Sequence, residues 1–229
     1  MQKLTVVIVV GALFALSGFS SHAAFIITNH SFETDTAGDA AVSTGLTGWT
    51  RGADSATVNT FDPGSGDFTG AGGDDSALPS PADGGQGAVW YSTSDAERTI
   101  YQDVGTFDAD GIYEITLQVA IGRQKDNAFP ANDYDIDLLL DTVGLTPDSS
   151  SLPNPSTGTF AWASKSYTVA ATSGQALRIE LYGNIEGGTG EQVIMDNVTL
   201  TTNLIPEPAS ALLLLLGVLG LLGRRRRRR

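Results

Sequence analysis

Residues 133–141 read Asp-Tyr-Asp-Ile-Asp-Leu-Leu-Leu-Asp, and polar and apolar side chains alternate along most of that run. Tyr134, Ile136, Leu138 and Leu140 fall on one face; Asp133, Asp135, Asp137 and Asp141 fall on the other with Leu139. A period of two predicts a strand packed on one side and wet on the other. The run 177–182 repeats the pattern, with Leu177, Ile179 and Leu181 set against Arg178, Glu180 and Tyr182. Further strands are predicted over 25–29, 87–93, 98–104, 113–121, 160–169, 176–183 and 192–200, separated by Gly, Asn, Asp, Pro and Ser. No stretch between 24 and 203 shows a helical period. Many short strands in one domain imply an all-β sandwich or barrel. Two stretches break the alternation: 62–87, with eight glycines, and 144–158, rich in Pro, Ser, Thr and Asn. Both are predicted to be long loops of the kind that often carry function.

The two ends differ from this body. Lys3 precedes an uncharged apolar run over 4–16, and Ser21 and Ala23 fit the small-x-small rule for signal peptidase. Residues 1–23 therefore read as a secretory signal helix with cleavage before Ala24, the alternative being an uncleaved anchor. Residues 209–223 hold eight leucines and no charge, followed by Arg224–Arg229. Fifteen helical residues reach roughly 22 Å against a hydrocarbon core of about 30 Å, so this run is a short transmembrane helix. The arginines would stay on the cytoplasmic side.

Charge and composition narrow the function classes. Of 13 basic residues, Lys3 and the six terminal arginines lie outside the body; of 26 acidic residues, only Glu207 does. The body thus carries 25 acidic against 6 basic side chains. Such a surface repels nucleic acid and anionic lipid and favours divalent cations. There is no cysteine, and after residue 23 the single histidine is His30. Cys–His nucleophiles are excluded, a histidine-rich zinc site is disfavoured, and no Gly-x-Ser-x-Gly elbow surrounds any serine. Carboxylates of Asp133, Asp135 and Asp137 lie about 7 Å apart along one strand face, a spacing that a solvated face explains as well as glycoside hydrolysis does.

The tail, with Pro206, Glu207 and Pro208, the span 209–223 and the cluster that includes Arg224, Arg225 and Arg226, resembles the PEP-CTERM sorting signal of Gram-negative bacteria. The resemblance implies processing by signal peptidase and an exosortase and transient residence in the inner membrane. Release to the cell surface or the extracellular matrix would follow. A plain single-pass anchor satisfies the same physics. In the body, the phrases Thr28–Thr34 (TNHSFET), Gly48–Trp49, 85–91 (GQGAVWY), 100–105 (IYQDVG), 113–120 (YEITLQVA) and 194–200 (IMDNVTL) are similar in order to galactose-binding-like jelly-roll domains and carbohydrate-binding modules. That resemblance implies a jelly-roll β-sandwich over 24–203, followed by a sorting segment over 204–229. It also implies a structural calcium site held by Glu33 and Asp196. Trp90, Tyr91 and Trp162 are the candidate aromatic platforms for a sugar. The expectation drawn from the sequence is an exported, non-catalytic surface or matrix protein associated with exopolysaccharide. A calcium-assisted carbohydrate-binding module is the alternative, and a carboxylate-based glycan hydrolase ranks third.

Overall fold

The computed structural model describes residues 25–53, 58–64, 66–68, 77–91, 96–124, 134–185 and 192–205. Within them the chain is all-β, built as a sandwich of two antiparallel sheets. The strands are β1 (Ala41–Ser43), β2 (Thr50–Arg51), β3 (Val58–Asp62), β4 (Gly87–Tyr91), β5 (Ala96–Thr106), β6 (Gly111–Arg123), β7 (Tyr134–Leu140), β8 (Val143–Gly144), β9 (Ser149–Ser151), β10 (Thr159–Ala171), β11 (Ala176–Ile185) and β12 (Gln192–Ile205). A seven-stranded sheet runs β1-β3-β4-β12-β6-β10-β9, and a five-stranded sheet runs β2-β5-β11-β7-β8.

The alternation of the sequence decides the interior. Tyr113, Ile115, Leu117, Val119 and Ile121 of β6 meet Leu177, Ile179 and Leu181 of β11 and Tyr134, Ile136 and Leu138 of β7, all buried in one core. Removing this much apolar surface from water is the main driving force available to a chain without disulfides. A second, smaller core lies on the other side of the seven-stranded sheet. There Val89, Ala120 and Ile194, which alternate with inward-facing neighbours, are covered by Phe61, Phe68, Leu78 and Phe160. Phe68 and Leu78, from the stretch predicted as a loop, thus cover that face of the sheet.

The segment predicted as a first strand over 25–29 belongs to no strand and passes into a turn at Thr28, with Asn29 at a φ of 53°; the Ile26 N–H donates to the Val104 carbonyl at 2.9 Å. β3 went unpredicted because both of its faces are covered, so its residues show no alternation in burial. Residues 1–24 and 206–229, where the signal helix, the transmembrane helix and the sorting residues Pro206, Glu207, Pro208, Arg224, Arg225 and Arg226 were placed, lie outside the described residues. Among the described residues no helix is long and apolar enough to cross a membrane.

Candidate active site

The outer face of the five-stranded sheet gathers the ionisable groups. Strand register sets them in three rows. Tyr101 of β5, Glu180 of β11 and Asp137 of β7 form the middle row. On one side of it lie Asp103, Arg178 and Leu139; on the other lie Thr99, Tyr182 and Asp135. The side chains of directly opposed residues sit about 5 Å apart at Cβ, so each row is a set of direct neighbours.

Arg178 donates through Nε to Asp103 Oδ1 at 2.7 Å and through Nη2 to Oδ2 at 3.0 Å. Its guanidinium also lies 4.0 Å from the centre of the Tyr101 ring. These hydrogen bonds hold the Asp103 carboxyl below the ordinary aspartate range. The fork geometry pins the tyrosine from one side, since guanidinium and carboxylate meet in a plane.

Glu180, half-buried, is placed differently. Its carboxyl accepts no hydrogen bond from a described residue, and burial followed by the charge of Asp137 raises its pKa, with Arg178 opposing. Asp137 and Asp135 are occupied by Lys165. This lysine projects from an inward-facing position of β10, between Ala163 and Tyr167, and its side chain is 7% exposed. Its Nζ lies 2.5 Å from Asp135 Oδ1 and 2.8 Å from Asp137 Oδ1. Burial works against the ammonium, but the hydrogen bonds it donates to both carboxylates outweigh it and leave its pKa raised. Tyr167, on the same face of β10, is fully buried, and burial first and the Asp137 charge second push its hydroxyl above the ordinary tyrosine range. The aspartate face of β7 is therefore not simply solvated: a cation from the opposite sheet is tied to it.

A second polar centre lies where the start of the domain meets β12. The ladder between β12 and β6 slips between Asp196 and Thr199, and Asn197 takes a φ of 45°. This bulge turns Asp196 under the turn at 28–33 and the loop at 81–86. Asp196 is fully buried. Its Oδ2 accepts from the Asp83 N–H at 2.6 Å, while its Oδ1 has no partner. Burial pushes its carboxyl well above the usual range, the amides of Asp83 and Asn197 oppose this, and the charges of Glu33 and Asp83 add to it. Glu33 accepts from the Gln86 N–H at 2.7 Å and lies against Gly84, whose φ of 82° and missing side chain make room for the carboxylate. The Val198 N–H donates to the His30 carbonyl at 2.9 Å, closing the junction. His30 itself is a half-exposed turn residue 3.8 Å from Asp83 Oδ2.

Glu33 and Asp196 both lie at this junction, near enough for the Glu33 charge to act on Asp196; the aromatic candidates are not gathered with them. Trp90 is wholly buried in the main core, donates through Nε1 to the Arg98 carbonyl at 3.1 Å and packs against Gly183. It presents no face to a ligand. Trp162 is 38% exposed on the outer face of the seven-stranded sheet, away from the ionisable rows. The side chain of Tyr91 lies outside what is described. Sequence reasoning passed over Tyr101, Arg178, Glu180 and Lys165. Lys165 was findable: the parity of β10 places it with Ala163, Tyr167 and Val169, an inward position where a lysine needs a partner.

A family model described as HpiC1-like, HpiC1 cyclase, matches residues 23–201. The chain belongs to the HpiC1-like cyclase family. No curated protein matches the sequence. Among solved structures, the chain is similar to a Stig cyclase, Fisc, from Fischerella sp. TAU in complex with (3Z)-3-(1-methyl-2-pyrrolidinylidene)-3H-indole. That match has a TM-score of 0.58 at 21% identity, covering 81% of this chain and 100% of the other. A cyclase from Fischerella sp. TAU in complex with 4-(1H-indol-3-yl)butan-2-one matches with a TM-score of 0.58 at 20% identity, over 80% of this chain and 98% of that one. At these identities the structures establish a shared fold.

Family membership corrects the main functional expectation. A cyclase is an enzyme, so the non-catalytic surface or matrix protein gives way to a catalytic one. The PEP-CTERM identity, the exosortase and polysaccharide partners and the carbohydrate-binding role are corrected with it, because the body that they were to decorate is a cyclase domain. The burial of Trp90 independently leaves that residue no face for a sugar.

Proposed function

We propose that this HpiC1-like family member closes a ring on a small, largely apolar molecule bound over the Tyr101–Glu180–Asp137 row. Glu180 would act as the proton donor. The observation that supports this most is the placement of Glu180, a half-buried carboxyl whose pKa burial and the Asp137 charge raise, directly between Tyr101 and Asp137 in the strand register. A general acid must hold its proton near working pH and release it to substrate, and burial beside a like charge is how a glutamate achieves that. Ring closure of an unsaturated molecule then balances without a co-reactant. Glu180 transfers its proton to one carbon of a substrate π bond, leaving a cation on the other. An internal π bond attacks that cation, forming the new carbon–carbon bond. A proton leaves the resulting cation and returns to the Glu180 carboxylate. Asp137 and the ring face of Tyr101 would stabilise the transient positive charge.

The indole-bearing compounds bound to the Fischerella cyclases make an indole-containing substrate the first class to test here. The sandwich is read as a jelly roll, which the likeness to those cyclases supports. The leader over 1–23 and a catalytic body over 24–203 remain our reading of the domain layout, with the body exported.

Glu33 and Asp196 fit a calcium ion. The partnerless Asp196 Oδ1 and the accumulated negative charge call for a cation. Among the described residues no three His, Cys, Asp or Glu side chains cluster as a metal-binding group, so the remaining oxygens would be carbonyls or water. Calcium would there supply a structural tie between the start of the domain and β12.

Titrating the ¹⁵N-labelled protein with 4-(1H-indol-3-yl)butan-2-one tests the location. Amide shifts concentrated on β5, β7 and β11 around Tyr101, Asp137 and Glu180 are expected. Shifts confined to the seven-stranded sheet would remove the proposed site.

A further inference from the structure

The side chain of Arg178 is fixed in plane as well as in place. Nε donates to Asp103 Oδ1 at 2.7 Å and Nη2 to Oδ2 at 3.0 Å, and such a fork sets the orientation of the whole guanidinium. One side of that plane lies over the Tyr101 ring, its carbon 4.0 Å from the ring centre. An edge-on guanidinium would hold its carbon farther off by a C–N and an N–H bond, so the two planes are stacked. We propose that the other side of the Arg178 guanidinium docks a flat aromatic ring of the ligand, the third layer of a stack that begins with Tyr101. This rests on the reading of this sheet face as the binding site and adds the group that selects the ligand's shape.

The local backbone supports the arrangement. The β5–β11 ladder slips at this point: Arg178 pairs with Asp103 and Leu177 with Gly105, which leaves Val104 as the extra residue of a bulge. Val104 is buried in the main core, and its carbonyl accepts from the Ile26 N–H at 2.9 Å. Gly105 takes a φ of 139°, which residues with a side chain rarely adopt. A bulge re-aims its neighbours, and here it leaves Asp103 directly across from Arg178. Asp103 answers the charge of the guanidinium, so the pair offers a ligand a neutral plane. The Arg178 side chain is 21% exposed, and among the described residues Tyr101 is the only ring against it. An exposed ion pair contributes little to a sheet by itself. A guanidinium, however, presents a plane to an aromatic ring where an ammonium presents a point charge.

Two ketones tested on the whole protein decide this: 4-(1H-indol-3-yl)butan-2-one and 4-cyclohexylbutan-2-one, which share the ketone arm and differ in the flat ring. In ¹⁵N-labelled wild type, the ring current of the indole ketone should move the Arg178 Nε–H signal upfield, and the cyclohexyl ketone should leave it in place. In Arg178→Lys, with the fold verified by its ¹⁵N spectrum, Kd for the indole ketone should rise roughly 5- to 30-fold, while Kd for the cyclohexyl ketone changes less than about twofold. Asp103→Asn, which frees the plane, should shift the indole ketone in the same direction. Equal losses for both ketones would show a structural staple and overturn the proposal. If Arg178→Lys does not fold, the wild type decides, and an unmoved Nε–H signal at saturating indole ketone overturns the stack. Amide shifts on β5, β7 and β11 without an Nε–H shift remove the stack and keep the site; no amide shift on that sheet removes both.

Discussion

Replacing Asp196 with asparagine separates the charge of this residue from its shape. The amide keeps an oxygen to accept from the Asp83 N–H and keeps the volume under the 81–86 loop. In calcium-free protein, Asp196 is a fully buried carboxyl with one oxygen unpartnered, and an unsatisfied buried acceptor costs about 1–3 kcal/mol. The asparagine variant should therefore be within about 1–2 kcal/mol of wild type in chelator. Calcium should distinguish them. At free calcium about 100 times Kd, binding to the folded state alone adds roughly 2.7 kcal/mol. For a domain of this size each kcal/mol moves Tm by about 2–4 °C, so wild type should gain roughly 5–11 °C. Asp196→Asn, lacking the charged ligand, should gain less than about 2 °C by the same arithmetic. Calorimetry in EDTA and in millimolar calcium gives the comparison, with magnesium as the control that a flexible oxygen site should answer poorly. Equal calcium shifts in both proteins, or none in wild type, would refute the assignment of Glu33 and Asp196 as ligands.

Glu180→Gln should change how stability depends on pH. Burial and Asp137 hold the folded-state pKa of Glu180 above its unfolded value of 4.5. The stability that this proton contributes is full below 4.5 and is lost as pH rises through the folded value. Urea melts at pH 4 and pH 8 should show the variant gaining on wild type at the higher pH; parallel losses in both count against the shift. Lys165→Met leaves two aspartates without their cation and should cost about 3 kcal/mol, the low end of the range for broken buried pairs because the carboxylates are partly solvated. A cost below about 0.5 kcal/mol in urea would show the pair to be no more than a surface contact. Trp90→Ala should cost about 3–5 kcal/mol, as for other large core aromatics, with its main effect on folding; a small cost with lost ligand binding would return Trp90 to the site.

The long strands were legible because they alternate. β7 and β11 have the period that a sheet with one buried face imposes, and both stand within a residue or two of the expected limits. β3 and the two- and three-residue strands at the edges were not legible, since burial on both faces or brevity erases the period. Glu33 and Asp196 emerged through a resemblance, and the bulge that sets the position of Asp196 is announced by no local pattern. The ionisable rows were hidden for another reason. Residues 101, 137 and 180 are each an ordinary outward residue on their own strand, and only the register aligns them. Trp90 was named as a candidate platform because its environment is set by Gly183 on the opposite sheet, a contact that sequence distance conceals.

The central claim is that a protonated Glu180 on the five-stranded sheet drives ring closure. Its most direct test is single-turnover mass spectrometry and NMR of an indole-bearing alkene incubated with wild type and with Glu180→Gln. An isomer of unchanged mass containing one more ring, formed about 10²–10⁴-fold more slowly by the variant, is the expected result. Equal rates in the two proteins would contradict the account.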